Sequence, residues 1–98
     1  MACHPDKIST FADLTEYVHF RLCARESLLE DQFTTEAVEL RRADQCCGVQ
    51  FRLRGPRNVC LQAIWSSEQN ELYLYDSRGT RYEKLRLPQR PAGPVPSR

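Results

Sequence analysis

No stretch of this sequence approaches the ~20 consecutive apolar residues that a bilayer-spanning helix needs, so no membrane segment is expected. Met1-Ala2-Cys3-His4-Pro5-Asp6-Lys7 has no apolar run behind a basic head, so a secretory leader is not expected and a cytoplasmic location is. Glycine is scarce, four residues in all, and the glycine-dependent motifs are missing: there is no G-x-G-x-x-G, no P-loop and no G-x-S-x-G elbow. H-E-x-x-H is absent too, as are the alternating βα units that build a dinucleotide crevice. The five cysteines are odd in number, two of them adjacent (Cys46 and Cys47), and none forms a C-x-x-C knuckle, which suits neither a disulfide framework nor a zinc ribbon. Lysine is nearly absent: twelve of the fourteen basic residues are arginine, whose planar fork suits phosphate or carboxylate but which a GC-rich genome also supplies without any function.

What is present bounds one domain. Ninety-eight residues with 41% hydrophobic content bury roughly two-thirds of the unfolded surface, enough for one core. Net charge is +1 overall but unevenly spread. Residues 1–45 carry five basic and nine acidic side chains, and residues 46–98 carry nine basic and four acidic.

Phe11, Leu14, Val18 and Leu22 recur at spacings of three and four, one stripe of a helix over about residues 10–25. Thr10 is placed to cap it, with Asp13 as the return partner. Asp13 and Glu16 sit near its positive start, Arg21 and Arg25 near its negative end. After a connector over 26–34, period-two alternation marks five strands at about 36–42, 47–54, 58–66, 71–76 and 80–87.

The turns test this pattern, because register must set apolar residues opposite apolar residues. A loop over Gly55-Pro56-Arg57 sets Leu53 opposite Val59, Phe51 opposite Leu61 and Val49 opposite Ala63. A loop from Ser67 to Asn70 sets Trp65 opposite Leu72 and Ala63 opposite Leu74. A loop from Ala43 to Cys46 sets Leu40 opposite Val49 and Val38 opposite Phe51. Asp76-Ser77-Arg78-Gly79-Thr80 reads as a type I turn closed by glycine, pairing Asp76 with Thr80. That register turns Lys84 inward and Leu85 outward, so a β-bulge near Glu83-Lys84 is expected to return Leu85 and Leu87 to the core.

The expected fold is therefore α+β, one amphipathic helix packed on a four- to five-stranded antiparallel meander, with a small half-open barrel and the helix outside as the alternative. Residues 1–9 are expected as a flexible N-terminus and 10–87 as the single domain. Residues 88–98, four of them proline, are expected as a disordered tail. That tail has P-x-x-P spacing but no basic residue at the flanking positions an SH3 ligand uses.

The chemistry on offer is sparse. His19 and Cys23 share one helix face, and Cys46, Cys47 or Cys60 could complete a tetrahedral zinc site, yet buried cysteine commonly acts as a small hydrophobe. Cys46 or Cys47 with His19 or His4 is a conceivable thiol–base pair. Glu30-Asp31 and Asp76 are more simply connector and turn residues than paired catalytic carboxylates. No cofactor is expected, and no enzyme activity.

The exposed sheet face carries Arg52, Arg54, Tyr73, Tyr75 and Arg81, with Tyr75 facing Arg81. Tyrosine and arginine are enriched at interface centres, so a protein partner or self-association through this face is the leading expectation. Arginine beside tyrosine can also stack bases and neutralise phosphates, so a backbone-directed nucleic-acid binder is the alternative, and a small thiol or metal-dependent protein a second one. The run Gly55-Pro56-Arg57, then Ala63-Ile64-Trp65, then Tyr75-Asp76-Ser77-Arg78-Gly79-Thr80-Arg81 resembles small uncharacterised bacterial single-domain proteins. The resemblance implies a bacterial origin and carries over no site.

Overall fold

In the computed structural model, which describes residues 4–95, the helix α1 spans Phe11–Arg25. Its start is closed by a reciprocal capping box: Thr10 Oγ1 accepts from the Asp13 N–H at 3.0 Å and Asp13 Oδ2 accepts from the Thr10 N–H at 3.2 Å. Asp13 Oδ2 also accepts from the Ser9 N–H and hydroxyl, and these donors hold its carboxyl below the usual carboxylate range. The helix ends in a Schellman arrangement, with Leu28 N–H donating to Cys23 O at 2.8 Å and Ser27 N–H to Ala24 O at 3.4 Å. Ser27 takes the left-handed position at φ 57°. Leu14, Tyr17, Val18, Leu22 and Cys23 are buried against the sheet.

That sheet is five-stranded, antiparallel and in chain order: β1 Thr35–Arg42, β2 Gln45–Arg54, β3 Cys60–Ser66, β4 Glu71–Tyr75 and β5 Arg81–Arg86. The meander is as expected. The barrel alternative is not realised, because β1 and β5 stay unpaired with each other and the sheet is open.

Register is where sequence and structure part. The β3–β4 pairing matches expectation, with Trp65 opposite Leu72 and Ala63 opposite Leu74. In β2–β3, Leu53 lies opposite Leu61, Phe51 opposite Ala63 and Val49 opposite Trp65, two residues from the expected pairing. The connection is longer because Pro56–Asn58 coils into a 3-10 turn with Arg57 and Asn58 at positive φ, closed by Gly55 N–H to Val59 O at 2.8 Å. A slip of two preserves which face is inward.

In β1–β2 the expectation fails by one residue. The turn is two residues, Ala43-Asp44, both at positive φ as a type I′ hairpin requires. The pairing then shifts past Cys47, so Ala37 faces Phe51 and Glu39 faces Val49. A one-residue slip reverses every side chain: Val38, expected inside, is 54% exposed on the outer face. The bulge is tied down by Ser67 N–H donating to Cys47 O at 3.1 Å. Next to it Gly48 packs so closely on β3 that a Cβ there would lie 2.5 Å from the Trp65 carbonyl oxygen.

The β4–β5 turn forms as expected: Asp76 N–H donates to Thr80 O, Gly79 N–H to Asp76 O, and Gly79 sits at φ 82°. The bulge that returns the last strand to register is present, one residue earlier than expected, with Tyr82 between the Tyr75–Arg81 and Leu74–Glu83 pairs. Leu85 consequently lies opposite Leu72, and Leu87 is buried.

The chain ends were expected as a flexible start and a disordered tail. Residues 1–3 and 96–98 lie outside the described residues. Between them, Ile8 is fully buried and Pro91 is buried. Ala92 exchanges backbone bonds with the helix start: Phe11 N–H to Ala92 O at 2.9 Å and Ala92 N–H to Ser9 O at 3.0 Å. Gln89 Nε2 donates to Ile8 O at 3.1 Å. The structure therefore packs residues 88–92 against the domain, by backbone bonds and one proline rather than by the apolar stripe that periodicity can detect.

Candidate interaction face

With α1 on one side, the other side of the sheet carries three cross-strand rows. One is Glu36, Arg52, Gln62, Tyr75 and Arg81. The next is Val38, Gln50, Ile64, Tyr73 and Lys84. The third is Leu40, Gly48, Ser66, Glu71 and Arg86.

The structure brings four of the expected residues together. Tyr75 faces Arg81 across β4–β5, and the Arg81 guanidinium lies 5.1 Å from the Tyr73 ring centroid, a cation–π contact. Arg52 shares the Tyr75 row, with Gln62 between them. Arg54 stands apart, at the loop end of β2, where it and Arg52 line a cleft of about 280 Å³ with Gly55, Asn58, Val59 and Cys60.

The Tyr73 hydroxyl donates to Glu71 Oε1 at 2.9 Å, and Glu71 Oε2 lies 3.6 Å from the Arg86 guanidinium. The hydrogen bond to the Glu71 carboxylate, then burial, pushes the Tyr73 hydroxyl up, so it stays a donor in the physiological range. Gln50 Nε2 donates to Gln62 Oε1 at 3.1 Å, fixing the middle of the face. The result is an apolar and aromatic patch of Ile64, Tyr73 and Tyr75, with Val38 beyond Gln50 and with arginines and a lysine around it.

Sequence reasoning missed Val38, Ile64, Lys84 and Arg86 as members. Ile64 carried a legible signal, an aliphatic residue on the outward parity of β3. Val38 carried none, because the Cys47 bulge reverses its face.

The metal and thiol candidates sit elsewhere. His19 lines a cleft of about 410 Å³ between α1 and the start of β1, with Glu16, Glu30, Phe33 and Thr35 among its walls. Its Nε2 lies 2.8 Å from the Glu30 carbonyl oxygen and its Nδ1 2.8 Å from Thr35 Oγ1. A carbonyl only accepts, so Nε2 carries the proton, and in the neutral ring Nδ1 accepts from the threonine hydroxyl. Cys23 Sγ lies 3.7 Å from Nε2 and 3.9 Å from Nδ1. Among the described residues no group of three or more His, Cys, Asp or Glu side chains is placed to hold a metal. Cys46 and Cys47 lie on β2, their thiols donating to Gly48 O and Leu40 O. Burial pushes the Cys23 and Cys46 thiols up, the direction opposite to nucleophile activation. Glu30 and Asp31 form a short 3-10 turn and Asp76 closes the β4–β5 turn.

No helix among the described residues is long and apolar enough to cross a membrane. No protein-family model, curated protein or solved structure matches the chain. What the fold defines is a small α+β domain with an antiparallel sheet covered by a helix on one face.

Proposed function

We propose that this chain is a non-enzymatic interaction module that binds a protein partner, or a second copy of itself, through the outer face of its sheet. The observation that carries this reading is the cluster of Tyr73, Tyr75 and Arg81 beside Ile64 and the 54%-exposed Val38, on the side of the sheet away from α1. Rigid aromatic rings and arginine in one patch are the composition of interface centres. The side chains are held by cross-strand contacts, so less ordering entropy is lost on binding.

A second reading is favoured by charge. Arg52, Arg54, Arg81, Lys84 and Arg86 share the face with only Glu36 and Glu71, which suits a polyanion such as a nucleic-acid backbone. The four described cysteines are free thiols, in keeping with a reducing compartment, and we place the protein in the cytoplasm of a bacterial cell, the origin its resemblance implies.

The test compares wild type with the double variant Arg52→Glu, Tyr75→Ala by pull-down and sedimentation at two salt concentrations. Arg52 is exposed and Tyr75 half-buried, both outside the core, so the variant should fold with small loss, within ~1 kcal/mol each, and lose its partner. A loss driven by Tyr75 and insensitive to salt supports a protein partner. Binding that falls steeply with salt supports the polyanion. Identical partners and association state in variant and wild type would remove this face from the account.

A further inference from the structure

The two edges of the sheet are treated differently. At the β5 edge the strand is short, begins with a bulge and carries Arg81, Lys84 and Arg86, all devices that discourage further pairing. The helix also reaches it: Arg21 pairs with Glu83, and the Arg25 guanidinium lies 4.2 Å from the Tyr82 ring centroid. The β1 edge has less of this protection at its middle, where Glu39 is the one charge and there is no bulge. Thr35–Arg42 is eight residues long and pairs with β2 alone, and no backbone hydrogen bond outside the regular elements involves it among the described residues. Its centre is Ala37-Val38-Glu39-Leu40, with Val38 more than half exposed.

The sequence of that edge complements itself. Align two copies of β1 antiparallel about Glu39, so that residue numbers facing each other sum to 78. On the outer face Val38 then meets the second copy's Leu40, and Leu40 its Val38. At either end Glu36 meets Arg42. On the inner face Ala37 meets Arg41, and the two Glu39 side chains meet at the axis, each already paired with Arg41 of its own chain at 3.1 Å. A shift of two residues one way sets Glu36 against Leu40; the other way pairs Glu39 with Arg41 but sets Val38 against Arg42 and Glu36 against Asp44. Cross-strand apolar and opposite-charge pairs stabilise a sheet and like pairs oppose it, so one register stands out.

We infer that the β1 edge is a homodimer interface, formed by antiparallel pairing of β1 with β1 of a second copy about Glu39. This goes beyond the function proposed above: the edge is a separate surface, and pairing there leaves the outer face of each copy free for a partner. The pairing is isologous and closes on itself, so it makes a dimer and not a fibre. It joins two five-stranded sheets into one, with both helices on the same side and both outer faces continuous.

Sedimentation velocity across a concentration series is the experiment, with thermal melting to confirm that each variant folds. Wild type should sediment as a dimer of 11.4-kDa chains. Val38→Lys should shift it to monomer. Glu36→Arg and Arg42→Glu should each weaken dimerisation at least tenfold, since each change occurs twice at the interface and creates two like-charge pairs. The double variant Glu36→Arg, Arg42→Glu should restore the dimer, a rescue that only this antiparallel register supplies. A wild-type monomer at high micromolar concentration that still binds a partner through Tyr75 would overturn the inference and leave the outer-face reading standing. A dimer that survives Val38→Lys and dissociates on Tyr75→Ala would do the same. A dimer broken by both single charge changes and not rescued by the swap would overturn the register and with it the inference.

Discussion

Phe11, at the first position of the helix, meets Trp65 of β3 edge to face, with ring centroids 5.2 Å apart and planes at 83°. Such pairs contribute ~0.5–1.5 kcal/mol beyond burial. The indole N–H of Trp65 also donates to Asn70 Oδ1 at 2.9 Å, and Asn70 Nδ2 donates to Leu87 O at 3.3 Å. One side chain thus ties helix, sheet and C-terminal segment. Trp65→Ala should cost roughly 3–5 kcal/mol, a large part of the ~5–15 of a small domain. Urea denaturation should find the variant largely unfolded or unfolding at low denaturant. A midpoint close to wild type would contradict this packing.

The Tyr82 hydroxyl is buried with no hydrogen-bond partner among the described residues. Leaving a buried hydroxyl unmet costs on the order of 1–3 kcal/mol, so Tyr82→Phe should keep or raise the melting temperature while Arg25 retains a ring to stack on. A clear drop in Tm would show that the hydroxyl has a partner in solution.

Removing residues 88–98 should lower stability, because Ala92 and Gln89 bond to Ser9, Phe11 and Ile8 and Pro91 is buried. Backbone bonds of this kind contribute ~0.5–1.5 kcal/mol each. For a domain of this size each kcal/mol lost is worth ~4–8 °C of Tm. Calorimetry reads it directly, and an unchanged Tm would mean the segment does not dock.

Acid should destabilise the fold through Asp13 and Asp76. The donors from Ser9 and Thr10 lower the first, and those from Thr80 and Arg78 lower the second. A carboxyl whose folded pKa lies below its unfolded value stabilises above the unfolded value, about 3.9 for Asp, and that contribution is lost as pH falls through the folded one. Tm should therefore decline below about pH 4, and Asp13→Asn should flatten that decline while lowering Tm at neutral pH. An acid limb identical in the variant would remove Asp13 from the account.

Much of this fold could be read from alternation alone, since the inward parity of β2, β3 and β4 is what hydrophobic patterning encodes. The bulge in β5 was legible too, because the register set by the Asp76–Thr80 turn leaves Leu85 and Leu87 facing outward unless a residue is added. The register failures have two causes: left-handed backbone at residues that do not announce it, and a bulge at Cys47. Ala43 and Asp44 make a type I′ turn without glycine, and Arg57 and Asn58 lengthen the β2–β3 loop the same way. The turn alone would have left Val38 inside; the Cys47 bulge turned it out. The outer-face tyrosines and arginines lie on the side that alternation gives them, because Arg52 and Arg54 follow the Cys47 bulge in β2 and Arg81 precedes the one at Tyr82 in β5.

The outer-face account is tested most directly by replacing Tyr75 with the photo-crosslinking side chain p-benzoylphenylalanine, and the exposed helix residue Ala12 likewise as a control, then irradiating living cells. Tyr75 lies half-buried on the outer face at the end of β4, where an aromatic side chain already stands. The account requires a discrete covalent adduct from position 75 that is absent from position 12 and competes away on Arg52→Glu. Adducts from position 12 alone, or none from position 75, would contradict it.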